Sequence, residues 1–321
     1  MNRLSIIICT CNRSQSVSKL IDCFEESVVI PDDFSIEIII VDNNSKDDTE
    51  KVIKNRQRKI RPFQLRYVLE SKPGLSSARN RGISESQFEK ICFLDDDVLC
   101  DPDFLKALNA AFLTHQDVAC FAPRILFKPL NKPDWYAHGG KYAMFFQGNY
   151  DLGERSRFIT AHDKVPIGAG MIFSREIFRR FGNFDPRFGY DISRSIMIPG
   201  EESELFFKIK SQKIPIFYVH DAVIHHYPEK EKYDIDTLCK TYKGAGYWYG
   251  TADARNLRNK NIIIWAGYPR SYYKRLIITG FNFVFSRFSS NKTIKYYHRF
   301  EWERTKGYFM GYSDFRKSKG V

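Results

Sequence analysis

The chain has 321 residues, 43% of them hydrophobic and 15% aromatic, which suits one large core or two smaller ones and excludes a disordered protein. The formal charge of +12 is uneven: from Arg255 onward 15 lysines and arginines face only Glu301, Glu303 and Asp314, while the first 254 residues balance at 35 of each sign. Seven cysteines form no CxxC pair and lie mostly in apolar runs, as expected of reduced thiols in a cytosolic protein.

The N-terminal run MNRLSIIICTCNR is too short for a signal h-region and has no small-residue cleavage site, so it reads as a first strand. LSIIICT (4–10) is a continuous β-branched run of the kind buried on both faces of a parallel sheet, with Thr10, Asn12 and Arg13 at its end. Ser14 opens a helix carrying Val17, Leu20, Ile21 and Phe24 on one face. IEIIIVD (36–42) ends in Asp42, followed by Asn43, Asn44 and Ser45, with Asp47 or Asp48 capping a helix. QLRYVLE (64–70) leads into SKPGLSSARNRGI (71–83), where Gly74 permits a turn and Ser76 or Ser77 opens a helix.

The fourth strand, KICFLDDD, ends in Asp95, Asp96 and Asp97. Three adjacent carboxylates away from water need a cation or a set of donors, and a hard divalent ion suits them. The alternative is a solvated acidic turn leading to the next helix, with Asp101 as its cap. Strands alternating with helices predict an α/β fold: a mostly parallel, doubly wound sheet whose ligands bind beyond the carboxyl ends of its strands. Four polar strand ends then converge on one crevice. A dinucleotide-binding enzyme would need a Gly-rich turn after the first strand, and the turn here, TCNRS, has no glycine.

The segments SIIICTCNR, EIIIVDNNSKDDT, KPGLSSARNRGI and FLDDDV, with GAGMIFSREIFRRFGNFDPRFG (168–189), PGEESELFFKI (199–209) and DAVIHHYP (221–228), resemble family-two glycosyltransferases of the GT-A fold over roughly residues 1–230. The bacterial polysaccharide and lipid-linked glycan enzymes are the similar type. The resemblance implies that Thr10, Asn12, Arg13, Asp42 and Asn44 hold the nucleoside, that Gly74, Arg79 and Asn80 lie near base and diphosphate, and that Asp95 and Asp96 contact ribose and metal-bound water. It implies Asp97 and His226 as ligands of Mn2+ or Mg2+, and a UDP-sugar as donor. Arg79 also suits an ordinary surface helix arginine.

In GEESEL (200–205) the family pattern usually reads Glu-Asp, the second acid deprotonating the acceptor hydroxyl for inverting displacement. Glu202 takes that place, and the departure from Asp leaves Glu201 and Glu202 both open as the base. Helix acids complementing the macrodipole are the alternative. Strand alternation sends His225 and His226 to opposite faces, so at most one points at a metal. Trp135, Tyr136 and Tyr142, in the irregular stretch 130–165, suit sugar stacking or a core.

The sequence divides into a catalytic domain, 1–232, with a nucleotide-sugar half (1–125) and an acceptor half (126–232), and a basic aromatic helical segment, 233–321. TLCKTYKGAGYWYG (237–250) reads as helix. RLIITGFNFVF (275–285) is shorter than the roughly 20 residues of a membrane span. As a helix it gathers Ile277, Phe281, Val284, Phe285 and Phe288 on one face, near Lys274, Arg275, Arg287, Lys292 and Lys295. That suits peripheral contact with an anionic membrane at the inner face of the cell membrane, or a basic helical domain packed on the catalytic one. No nucleic-acid motif accompanies the charge. The expected function is metal-dependent inverting transfer of a sugar to a glycan or lipid-linked hydroxyl in cell-surface polysaccharide synthesis. The rivals are an inactive nucleotide-sugar-binding protein and a basic scaffold.

Overall fold

The computed structural model describes residues 1–59, 61–137, 141–142, 144, 148–191, 196–228, 230–256, 264–265 and 267–318. In chain order the elements are β1 (Asn2–Thr10), α1 (Ser14–Glu26), β2 (Phe34–Asp42), α2 (Thr49–Gln57), β3 (Gln64–Leu69), α3 (Leu75–Glu85), β4 (Lys90–Asp95), β5 (Val98–Cys100), α4 (Phe104–Thr114), β6 (Cys120–Phe127), β7 (Arg157–Phe158) and β8 (Gly170–Ser174). They continue with α5 (Arg175–Phe181), β9 (Gly189–Asp191), β10 (Ile196–Ile198), α6 (Glu201–Ser211), β11 (Ile216–His226), α7 (Ile235–Asn256), β12 (Ile264–Trp265), β13 (Tyr268–Pro269), α8 (Arg270–Ser286) and α9 (Lys292–Lys317).

Two compact units result. The first comprises 1–130, 148–186 and 201–228; the second comprises 131–147, 187–200 and 229–321. Segments 131–147 and 187–200, allotted by sequence to the 1–232 domain, thus group with the C-terminal helices.

In the first unit the strands run in the order β3-β2-β1-β4-β8-β6-β11-β5, with β7 on β11. The β1, β2, β3 and β4 pairings are parallel, as the apolar runs predict. β8 enters antiparallel between β4 and β6, and β11 runs parallel to β6, so the mostly parallel sheet is mixed in its second half. Leu4, Ile6, Ile7, Ile8, Ile38, Ile39 and Ile40 are fully buried, the consequence of helices covering both faces. α1 buries Val17, Leu20, Ile21 and Phe24, the stripe read from sequence. Each such side chain contributes about 1.5–3 kcal/mol when removed from water.

Strands β2 and β3 lie to one side of β1 and β4 to the other, so the β1/β4 boundary is the topological switch point. Register sets Thr10 beside Asp42 and Cys9 beside Asp95. The polar strand ends therefore share one edge of the sheet.

In the second unit α7 and α9 meet backbone to backbone. A Cβ on Gly246 would lie 1.9 Å from Arg304 O, on Gly250 2.0 Å from Tyr308 O, on Gly307 1.8 Å from Lys243 O and on Gly311 2.1 Å from Tyr247 O. Two glycine pairs at four-residue spacing thus set the approach. Around them Trp135 packs on Tyr296 and Phe300, Tyr136 on Tyr233, and Tyr142 on Tyr297. These three aromatics, open between sugar stacking and packing in the sequence, pack on other rings, Tyr136 buried and Trp135 and Tyr142 half-buried. Positions 138–140, 143 and 145–147 of the stretch 130–165 lie outside the described residues, as do 257–263. No helix among the described residues is long and apolar enough to cross a membrane.

Candidate active site

The acidic turn follows β4. Asp95 closes the strand with a partly exposed side chain, and Asp96 and Asp97 turn inward and are buried. Asp96 accepts from Thr10 Oγ1 and from Arg13 Nη1, each at 2.8 Å. Burial pushes its carboxyl up to about 6, partly offset by the Arg13 guanidinium. Arg13 also stands 3.6 Å from Asp97 Oδ2, so one cation from the β1–α1 loop faces two carboxylates.

One oxygen each from Asp95 and Asp97 and a ring nitrogen of His226 lie within 4.8 Å of one another. His226 Nε2 is 3.3 Å from Asp97 Oδ1, while Nδ1 is 3.3 Å from Gly148 O. A proton on Nδ1 directed at that carbonyl leaves the Nε2 lone pair facing the carboxylates, the arrangement a metal-ligating imidazole needs. Gly148 has φ +57°, and a Cβ there would fall 2.3 Å from His226 Nδ1. The donor set of two carboxylates and one imidazole therefore fits a hard to borderline divalent cation. His225, on the other face of β11, lies 3.8 Å from Asp101 Oδ2.

The β2 end is built from its loops. Asp42 accepts from Ser45 N (2.9 Å) and Tyr67 OH (2.9 Å). Asn12, itself at φ 55°, donates its backbone N–H to Ser45 Oγ and accepts from Lys46 N. Asn44 has φ 62° and its side-chain oxygen accepts from Lys46 Nζ. Asn43 ties the β3–α3 loop down, donating to Glu70 O and Lys72 O and accepting from Gly74 N. Gly74 sits at φ +120°, a conformation L side chains rarely adopt.

Arg79 is not a surface arginine. It is 3% exposed, donates to Glu201 Oε1 at 2.6 Å and stands 3.7 Å from Asp95 Oδ1, its guanidinium over the Phe184 ring. A Cβ on Gly168 would press to 2.6 Å from Arg79 Nη2, so the glycine makes room for the guanidinium. Asn80 instead binds the Phe184 main chain twice, as donor and acceptor. Glu201 is buried at the α6 N-terminus, and Glu202 beside it is half-buried. Desolvation, then the Glu201 charge, holds the Glu202 carboxyl above the usual carboxylate range, with Arg79 opposing.

The structure thus brings Thr10, Arg13, Arg79, Asp95, Asp96, Asp97, Glu201 and His226 into linked contacts, and directs the Asn80 side chain to the 184 backbone. The sequence assigns no role to Tyr67, Gly148 or Gly168, and Asn43 stands in the polar run after Asp42 without one. Asn43, beside Asp42, and Gly168, within GAG, carry a local signal; Tyr67 and Gly148 carry none.

An α/β chain with an acidic, cation-fitting cluster at its switch point is the class that fold and site define. Residues 5–182 match Glycosyl transferase family 2, more than half of the chain, and the chain belongs to that family. Over 99 residues it is 35% identical to GalNAc(5)-diNAcBac-PP-undecaprenol beta-1,3-glucosyltransferase of Campylobacter jejuni, covering 30% of this chain and 30% of that protein. The match therefore spans under a third of that relative's length. The fold resembles mannosyltransferase PcManGT from Pyrobaculum calidifontis in complex with GDP-Man and Mn2+ (TM-score 0.58, 14% identity, covering 96% of this chain and 87% of that one). It also resembles S. aureus TarS 1-349 (TM-score 0.53, 15% identity, 98% and 92% covered). The expected GT-A fold is thus present.

Proposed function

We propose that this chain is a metal-dependent inverting glycosyltransferase that moves a sugar from a UDP-sugar to a hydroxyl of a glycan or lipid-linked acceptor in cell-surface polysaccharide synthesis. It would work at the cytoplasmic face of the cell membrane, in peripheral contact with it. The observation that carries the reading is the Asp95, Asp97 and His226 cluster at the switch point of a family-two chain. The PP-undecaprenol acceptor in the name of the Campylobacter relative supports the acceptor class.

In this reading Asp95, Asp97 and His226 hold Mn2+ or Mg2+. Bound there, the ion would neutralise charge on the diphosphate leaving group. Thr10, Asn12, Arg13, Asp42, Asn44, Gly74 and Asp96 bind and orient the nucleoside, and Tyr67 fixes the Asp42 carboxylate. Asn80 acts at one remove, holding the segment at Phe184.

Glu202 is the base. Glu201 is occupied by Arg79 at 2.6 Å, while desolvation and the Glu201 charge hold the Glu202 carboxyl above the usual carboxylate range, which suits it to take up a proton. The acceptor oxygen attacks the anomeric carbon, the bond from that carbon to the diphosphate oxygen breaks, and the hydroxyl proton passes to Glu202. Arg79 then positions rather than reacts, tying the acidic turn to the start of α6.

The test is Glu202→Gln beside Glu201→Gln. Glu202→Gln should lower turnover roughly 10²–10⁴-fold with UDP affinity unchanged. Wild-type turnover in Glu202→Gln, with the loss in Glu201→Gln, would move the base to Glu201.

A further inference from the structure

From Ile277 onward, helix α8 turns most of its large apolar side chains outward. Toward α9 it presents Tyr272, 4.6 Å from Tyr308, then Gly280, whose added Cβ would lie 3.3 Å from Trp302, and Phe283 stacked on Trp302 at 6.1 Å. Away from α9, Ile277, Ile278, Phe281, Val284 and Phe285, with Phe288 just past the helix end, are between 47% and 85% exposed. Their spacing of three and four residues makes one continuous stripe. Single exposed apolar residues are ordinary, but six large ones in one stripe mark an interaction surface.

The rim is basic. Lys274, Arg287 and Lys292 are exposed and form no ion pair with a carboxylate among the described residues. Arg275, which the sequence places in the same cluster, is instead turned over the Tyr308 ring at 5.5 Å, and burial lowers its pKa. The charge thus sits at the two ends of the stripe, Lys274 before it and Arg287 and Lys292 after it.

We propose that α8 lies in the plane of an anionic lipid surface, with Ile277, Ile278, Phe281, Val284, Phe285 and Phe288 in the upper acyl region and Lys274, Arg287 and Lys292 at the phosphates. The inference rests on the peripheral-membrane part of the proposed function and deepens it by naming the inserting residues. Charge complementarity selects the occupant. Two copies pairing through this face would set equal basic rims against each other, whereas an anionic bilayer neutralises them and accepts the apolar stripe. At 17 residues α8 does not meet the demands of a span, while its apolar stripe and basic ends are those of an in-plane helix.

The experiment is flotation of the full chain with extruded vesicles, either phosphatidylglycerol and phosphatidylcholine in equal parts or phosphatidylcholine alone, comparing wild type, F281S/F285S and K274E/R287E/K292E. Phe281 and Phe285 are exposed, so their loss leaves the fold intact. Wild type should float with anionic vesicles. F281S/F285S should partition roughly a hundredfold less well, and the charge variant should lose its preference for anionic over neutral vesicles. Equal flotation of wild type and F281S/F285S, or no flotation of wild type, overturns the proposal. So does concentration-dependent self-association in sedimentation that F281S/F285S abolishes, because the occupant would then be a second copy. Manganese-dependent UDP binding on the same samples separates the two readings: binding without flotation sinks this inference alone, and flotation without binding sinks the transferase reading alone.

Discussion

The first unit buries charge, and the second exposes grease. Asp96, Asp97, Arg79 and Glu201 are buried at or near strand and helix ends of the sheet, where isolated ions would be strongly disfavoured. In the second unit the interior is aromatic and backbone against backbone, and the residues out of place are the exposed apolar ones of α8. In each unit the groups in the environment they least prefer mark where function is to be sought. For the first the residues point to small-molecule chemistry, and for the second to a surface.

The largest expected effect lies in the second unit. Gly307→Leu should destabilise the α7–α9 pair by about 4 kcal/mol or more, since the opposing Lys243 carbonyl is backbone and cannot swing aside. Limited proteolysis and thermal melting would register it, and a wild-type melting profile would show that the helices do not meet through their glycines. In the first unit Arg79→Met leaves Glu201 buried without its partner and should reduce stability by about 3 kcal/mol. Replacing both, Arg79→Met with Glu201→Leu, should recover most of that loss. Denaturant unfolding of the three variants tests the pairing, and additive losses would refute it.

A smaller effect concerns pH. The Glu202 carboxyl is raised by desolvation and by Glu201, and opposed by Arg79. A base works ionised, so kcat/KM should fall as pH drops through this raised pKa, giving an acid limb above the usual carboxylate range. Arg79→Met should move the limb higher still. For stability the sign is opposite: the folded state holds this proton more tightly, so its contribution is complete below the unfolded carboxylate pKa and lost as pH rises through the folded one. A limb at ordinary carboxylate pH in wild type would contradict the assignment.

Much of the first unit was legible because its strands are two-sided apolar runs punctuated by acids, so period and punctuation agree. The antiparallel entry of β8 left no mark, since GAGMIFS reads alike in either direction. Tyr67 and Gly148 act through contacts with Asp42 and His226, 25 and 78 residues away in sequence, and no local pattern encodes such pairs. Asn80 stood in the same motif as Arg79, yet adjacent positions on a helix point to different neighbours, and only Arg79 reaches Glu201. In the second unit the stripe of α8 was readable by its period, but its outward orientation was not. Periodicity defines a face without saying what the face meets.

In the proposed reading the acidic turn and His226 form a metal-dependent nucleotide site. Calorimetric titration of the full chain with UDP, GDP and dTDP, with and without manganese, reads this site when wild type is set beside Asp97→Asn. The prediction is manganese-dependent binding of UDP, weakened at least tenfold in Asp97→Asn, about 1.4 kcal/mol or more. Binding indifferent to manganese and to Asp97, or binding of none of the three nucleotides, would contradict it.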